Sequence, residues 1–401
     1  MRSTSFFQLI FIALAASIAL LFGAPASADS PAANAPRGTA PAPIAPDLSA
    51  SQLLAQAQID AAAGHNDAAA EKLHRALALE PKNLAVQKLL GDVEYRLEHY
   101  KAAEAAYNAV LASDPGNKDV LNRLGGVYAA EDRFDDAVGA FRRTLPSAEG
   151  FANLVQQYTD AGRLGELEGQ YQAEEARQPY ETSSHYNLAV IYEAGKKYDA
   201  AIAQLQIALD RSPRFTYALN ELGVVYGKTG RYNDAIEQYK KAIAVDPAFP
   251  LAWMNWGVEL INLNDYSSAD EKITHAISLA SDYALAYENL GVVYEFLGQF
   301  TQAVESYQRC IGLDPRDRNV YYNLGGLYLR HNLFNLAEAA FIKGLAVQPR
   351  NEQLHYALGF TYQRQRKFAL AAEQFRVALA ENPNDSNARE LLAQVEDQIK
   401  H

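Results

Sequence analysis

Eight histidines, one cysteine and 48 acidic residues are the side chains of this 401-residue chain that could carry acid–base, nucleophilic or metal chemistry. Their spacing argues against all three. The histidines (65, 74, 99, 185, 275, 331, 355 and 401) never stand three or four apart, so no helix face offers two imidazoles to a metal. Cys310 is alone, which excludes a Cys-x-x-Cys site and an intramolecular disulfide. It reads as a small buried hydrophobe. Gly162, Gly165 and Gly169 do not match a dinucleotide fingerprint, and no phosphate loop is present. The pairs Asp135–Asp136 and Glu174–Glu175 read as solvated helix faces. What recurs instead is a carboxamide: Asn153, Asn187, Asn255, Asn289 and Asn323 keep one 34-residue register, interrupted by Glu221. An amide offers a donor and an acceptor together, which suits holding a polar group rather than breaking a bond.

The elements that carry this row repeat with it. Leu222–Gly223, Trp256–Gly257, Leu290–Gly291, Leu324–Gly325 and Leu358–Gly359 are each 34 residues apart, with Tyr226, Tyr294, Tyr328 and Tyr362 three places after their glycines. A fixed period of this length means a solenoid. Numbering each unit so that the glycine is position 8, apolar positions 4, 7, 8 and 11 share one face of a first helix. Positions 20, 24 and 27 share one face of a second. Gly or Ala at 8 is expected to face Ala at 20 and let the two backbones approach closely. Position 15, often Gly or Asn, suits a left-handed residue ending the first helix. Pro at 32 ends the second.

These residues resemble the tetratricopeptide repeat (TPR) family, two antiparallel helices per unit. The resemblance implies an all-α, right-handed superhelical solenoid of about ten units. Carried backward, the register gives units at Ala50–Asn83 (with Gly64) and Leu84–Asn117, and a third starting at Lys118. That third unit ends four residues early, near Pro146, and the spacing from Gly125 to Val155 drops to 30. The next unit has Val155 at position 8 and Leu167 at position 20, so its helices are expected to sit further apart. We therefore divide the array into units 1–3 (50–147) and units 4–10 with a cap (148–401). The cap, Ser386–Lys400, carries the stripe Leu391, Leu392, Val395 and Ile399, with Ser386 as N-cap. Of 16 prolines, eight stand at position 32, and none falls inside a helix.

Residues 1–28 read as an export signal: Arg2, an uncharged run from Phe6 to Ala24, then the small-x-small site Ala26–Ser27–Ala28. Uncleaved, residues 6–24 would instead anchor the chain in a membrane. Residues 29–49 are rich in Ala and Pro and form an extended, flexible linker. The expected location is a bacterial periplasm or the outside of the cell. A net charge of −12 argues against nucleic acid and against a basic membrane-binding patch.

In the TPR family the first helices line the concave face, with positions 2, 5, 6, 9, 12 and 13 pointing into it. Asparagines at position 6 hydrogen-bond the backbone of an extended peptide in some members; the alternative is that they bridge helices. The partner-binding groove implied here comprises Asn187, Tyr217, Met254, Asn255, Glu288, Asn289, Phe296, Tyr322, Asn323, Tyr356, Phe360 and Arg364. The carboxylate clamp of other members needs Lys at 5 and Asn at 9 in one unit. Lys88 has Asp92 at 9, so that clamp is absent. The expected partner is a protein or extended peptide, with no cofactor, metal, small-molecule substrate or catalytic residue. The alternative is a structural protein that self-associates through the solenoid ends or convex face.

Overall fold

A computed structural model of the chain describes residues 48–62, 65–315 and 318–400. The export signal, the linker up to residue 47 and Gly64 lie outside the described residues. Among those described there are 21 helices. First helices begin at Ala50, Leu84, Lys118, Ala148, Thr182, Thr216, Pro250, Ala284, Arg318 and Glu352. Second helices begin at Asn66, Tyr100, Phe134, Leu164, Tyr198, Tyr232, Tyr266, Phe300, Phe334 and Phe368, and a last helix runs Ser386–Lys400. Each helix packs on the next, so the array is ten antiparallel pairs and a cap.

Local chemistry places several of the boundaries. Asn83, Asn117, Ser147 and Asn351 occupy the last position of a unit, and each accepts a hydrogen bond from the backbone N–H three residues on. That satisfies one of the orphan donors of the following first helix. Position 15 is left-handed wherever it is described: Gly162, Gly230 and Gly298, and also Glu98, Asp132, Lys196, Asn264, Asn332 and Arg366. The turn therefore imposes positive φ whether or not glycine is there to accept it.

In most units the carbonyl at position 32 is satisfied by the side chain six residues later. Gln87, His185, Trp253, Tyr321 and His355 reach Pro81, Pro179, Pro247, Pro315 and Pro349 in this way, at 2.9–3.3 Å. Tyr287 does the same to Ser281. His185 and His355 are therefore structural staples, each held on its other nitrogen by Gln204 or Gln374.

Two expectations about packing change. The position-8 glycine does not chiefly accommodate Ala at 20. A Cβ on Gly91, Gly125, Gly223, Gly291, Gly325 or Gly359 would overlap the position-24 ring of its own unit. Tyr239, Tyr307, Phe341 and Phe375 are among those rings, and all four are fully buried. The glycine makes room for an aromatic side chain, while the position-20 alanines are simply enclosed. In the last helix Asp385, not Ser386, is the cap: its Oδ1 accepts from the backbone of Asn387 and Ala388. Val395 is buried there with Ala388, whereas Ile399 is exposed.

Candidate functional site

Two ladders of side chains run along the layer of first helices, each joining a residue to one 35 positions later. Position 5 of one unit meets position 6 of the next. Asn255 Nδ2 donates to Asn220 Oδ1 at 3.0 Å, and Asn323 Nδ2 donates to Glu288 Oε1 at 3.0 Å. Asn289 Nδ2 donates to its own helix at Leu285 O (3.0 Å) and lies 3.7 Å from Met254 Sδ. Position 12 meets position 13 of the next unit in the same manner: Glu193 with Lys228, and Glu295 with Arg330. Two of the five asparagines of the row, Asn255 and Asn323, are thus spent on holding neighbouring units in register.

This corrects three of the expected groove residues. Met254 is 2% exposed, Asn255 5% and Glu288 7%, so none presents a surface to a partner. Asn289 and Asn323 are half-buried and already bonded. Asn187 is half-buried. The aromatic side chains fare differently. Tyr217 is 41% exposed, Phe296 48% and Tyr322 42%. Each is steadied from one side: Tyr217 edge-on against Phe249, Phe296 stacked on Tyr266 at 4.5 Å between ring centroids, Tyr322 beside Phe341. Tyr356 and Phe360 are half-buried, and exposed Arg364 lies over the rings of Phe334 and Phe360. Rigid rings with one free face offer contact area at low entropic cost.

A cavity of about 220 Å³ opens on the same layer in units 2–4, outside the expected groove. Its floor is built from positions 2, 5, 6 and 9: Asp92, Asp119, Asn122, Arg123, Glu149 and Asn153. Leu313, Asp314 and Pro315, at the end of unit 8, complete its wall. The layer of first helices therefore curves round on itself and is the inner, concave one. Arg123 bonds Asp92 Oδ1 and Asp119 Oδ1, both at 2.9 Å, and Lys88 pairs with Asp119. Tyr107 donates to Asp92 Oδ1 at 2.7 Å. Lys88 and Asp92, the residues that fail the carboxylate-clamp pattern, are thus committed to this network. Sequence reasoning passed over the cavity because it weighed these positions only against that pattern. Polar residues at 2, 5, 6 and 9 in three consecutive units were the available signal.

Models of the tetratricopeptide repeat match residues 54–117, 88–150, 160–214, 322–386 and 356–400, and a second such model matches 216–249 and 284–317. The chain belongs to the tetratricopeptide repeat family. TPR arrays are protein-interaction scaffolds, and this chain is one by architecture. No curated protein matches it. Among solved structures it is similar to the APC/C hetero-tetramer Cut9–Hcn1, at 18% identity and a TM-score of 0.54, covering 86% of this chain and 76% of that one. It is also similar to MamA, at 28% identity and a TM-score of 0.36, over 40% of this chain and 95% of that one. Yeast Tom70 matches at 13% identity and a TM-score of 0.45, over 88% of each chain. Among the described residues no group of His, Cys, Asp and Glu side chains could hold a metal ion.

Proposed function

We propose that this TPR protein is a non-enzymatic scaffold of the cell envelope that holds a partner polypeptide along its concave layer. The export-signal pattern read in residues 1–28 supports the location, and the linker would space the array from that end. The supporting observation for the binding mode is the set of one-sided aromatic rings, Tyr217, Phe296 and Tyr322, on first helices where Asn220, Asn255, Glu288 and Asn323 are committed to inter-unit hydrogen bonds. Their anchors are apolar and aromatic, so recognition rests on ring faces with Arg364 at one end, rather than on an asparagine comb. Substituting Tyr217, Tyr322 and Tyr356 together by Ala should cut capture of the envelope partner at least tenfold with helix content unchanged. Equal capture by the triple variant would rule the aromatic face out.

A second reading has its own observation. Leu336, Ile342 and Leu370 on second helices of units 9 and 10 are more than two-fifths exposed. Self-association through that outer layer would appear as a dimer in light scattering, abolished by Leu336→Lys with Leu370→Lys.

A further inference from the structure

The outer layer changes character in the last two units. Position 19, at the start of the second helix, carries Asp234, Ser268 and Gln302 in units 6 to 8, but Leu336 and Leu370 in units 9 and 10. Both leucines are more than two-fifths exposed, and so is Ile342. Position 29, near the end of the same two helices, is an exposed alanine, Ala346 or Ala380. Phe334–Val347 and Phe368–Glu381 thus each present a large apolar side chain at one end and a small one at the other.

Charge supplies an independent observation. Lys367 pairs with Glu338, and Arg376 with Glu396. Lys343 and Glu373, exposed one on each helix, form no ion pair among the described residues. A surface that binds its own copy about a two-fold axis must be complementary to itself: residue i meets j, and j meets i. Two unpaired charges of opposite sign meet that condition. Lys343 is at position 26 and Glu373 at position 22, so their midpoint is position 24. The leucine at 19 and the alanine at 29 have the same midpoint. A two-fold axis at that level, between the two helices, therefore lays each helix antiparallel over the other helix of a second copy. Lys343 then faces the partner's Glu373. In the same register Leu336 falls on the partner's Ala380 and Leu370 on the partner's Ala346, large against small.

We propose that a second copy of this chain covers the patch, in a two-fold dimer built from the second helices of units 9 and 10. This rests on the self-association reading above and gives it a geometry. The outer layers meet, so both concave layers stay open, and the dimer offers a partner two of them. Two helices of 14 residues, each about 21 Å long, make a contact at the small end of specific interfaces. The dimer accordingly forms at micromolar concentrations or above.

The test is sedimentation velocity on the full chain, from the micromolar to the hundred-micromolar range. Lys343→Glu sets like charges against each other at both symmetric contacts, and Glu373→Lys does the same. Each variant alone should dimerise at least tenfold more weakly, with helix content unchanged. Mixed in equal amounts, the two variants set opposite charges against each other at both contacts. A heterodimer of near wild-type strength should then form. A wild-type chain that stays monomeric throughout would assign the patch to another occupant and overturn the geometry together with the self-association reading. A dimer lost in Leu336→Lys with Leu370→Lys, yet unmoved by the charge variants or not restored by mixing them, would overturn the geometry alone. A dimer that survives the two leucine substitutions lies elsewhere on the array and would overturn both.

Discussion

Glu221 stands where the asparagine row is interrupted, and its surroundings do not favour a charge. Burial, and then the nearby Glu193, push its carboxyl up to about 8. Lys228 opposes this but is already paired with Glu193. Glu259, buried beside Gly227, is pushed by burial up to about 7. Both folded-state values lie above the 4.5 of an ordinary glutamate. Between those limits the folded chain keeps protons that the unfolded chain has released, so stability falls as pH rises through the window. Glu221→Gln should therefore raise unfolding free energy by on the order of 1–3 kcal/mol at pH 8 and change it little near pH 4.5. Urea titrations at the two pH values check this; an equal gain at both would mean that charge burial is not the cause. The interruption at Glu221 was legible in the sequence. Its partners were not, because the ladders join residues 35 apart, one more than the repeat, an offset set by how consecutive units stagger.

At the scale of the helix, the second helix of unit 4, Leu164–Arg177, is the weak element. Leu167 is its single buried residue, where other second helices bury three or more. The sequence announced this through Val155 and Leu167 in place of the usual small residues. It also carries Gly165 and Gly169, and a Cβ at either would meet nothing. These glycines have no packing role, unlike those at position 8. The same substitution should therefore act with opposite signs in the two settings. Gly169→Ala should stabilise by about 0.5–1 kcal/mol through helix propensity. Gly325→Ala, driven into the Phe341 ring, should destabilise by about 1–3 kcal/mol. Thermal unfolding of the two variants separates them, and two shifts of the same sign would contradict the assignment. Glycine spacing alone showed which were in register. Whether a given glycine faced a ring or open space depended on the partner helix.

For the whole molecule, the four-residue deletion raises the question of whether units 1–3 and 4–10 are separate bodies. The apolar core answers in part, because one cluster spans the junction: Val138 and Phe141 from unit 3, Phe151, Leu154 and Leu167 from unit 4, and Ile191 from unit 5. The inner layer is continuous, and the shortening falls on the outer one, where the second helix of unit 3 ends at Thr144. The concave cavity also depends on distant units, since Leu313–Pro315 close a wall begun at Asp92. No periodicity in the sequence could reveal that meeting, because it follows from curvature accumulated over six units. Solenoid stability is close to a sum of unit and neighbour-interface terms, so a loosely held unit opens locally before its neighbours do. Amide hydrogen exchange should then be at least 100-fold faster in 164–177 than in the second helices of units 3 and 5. The first helix of unit 4, 148–160, should stay as protected as the first helices beside it. Loss of protection in 148–160 as well would mean that the junction divides the array into two bodies. Even protection throughout 148–177 would mean that the deletion leaves the outer layer as firmly held as the rest.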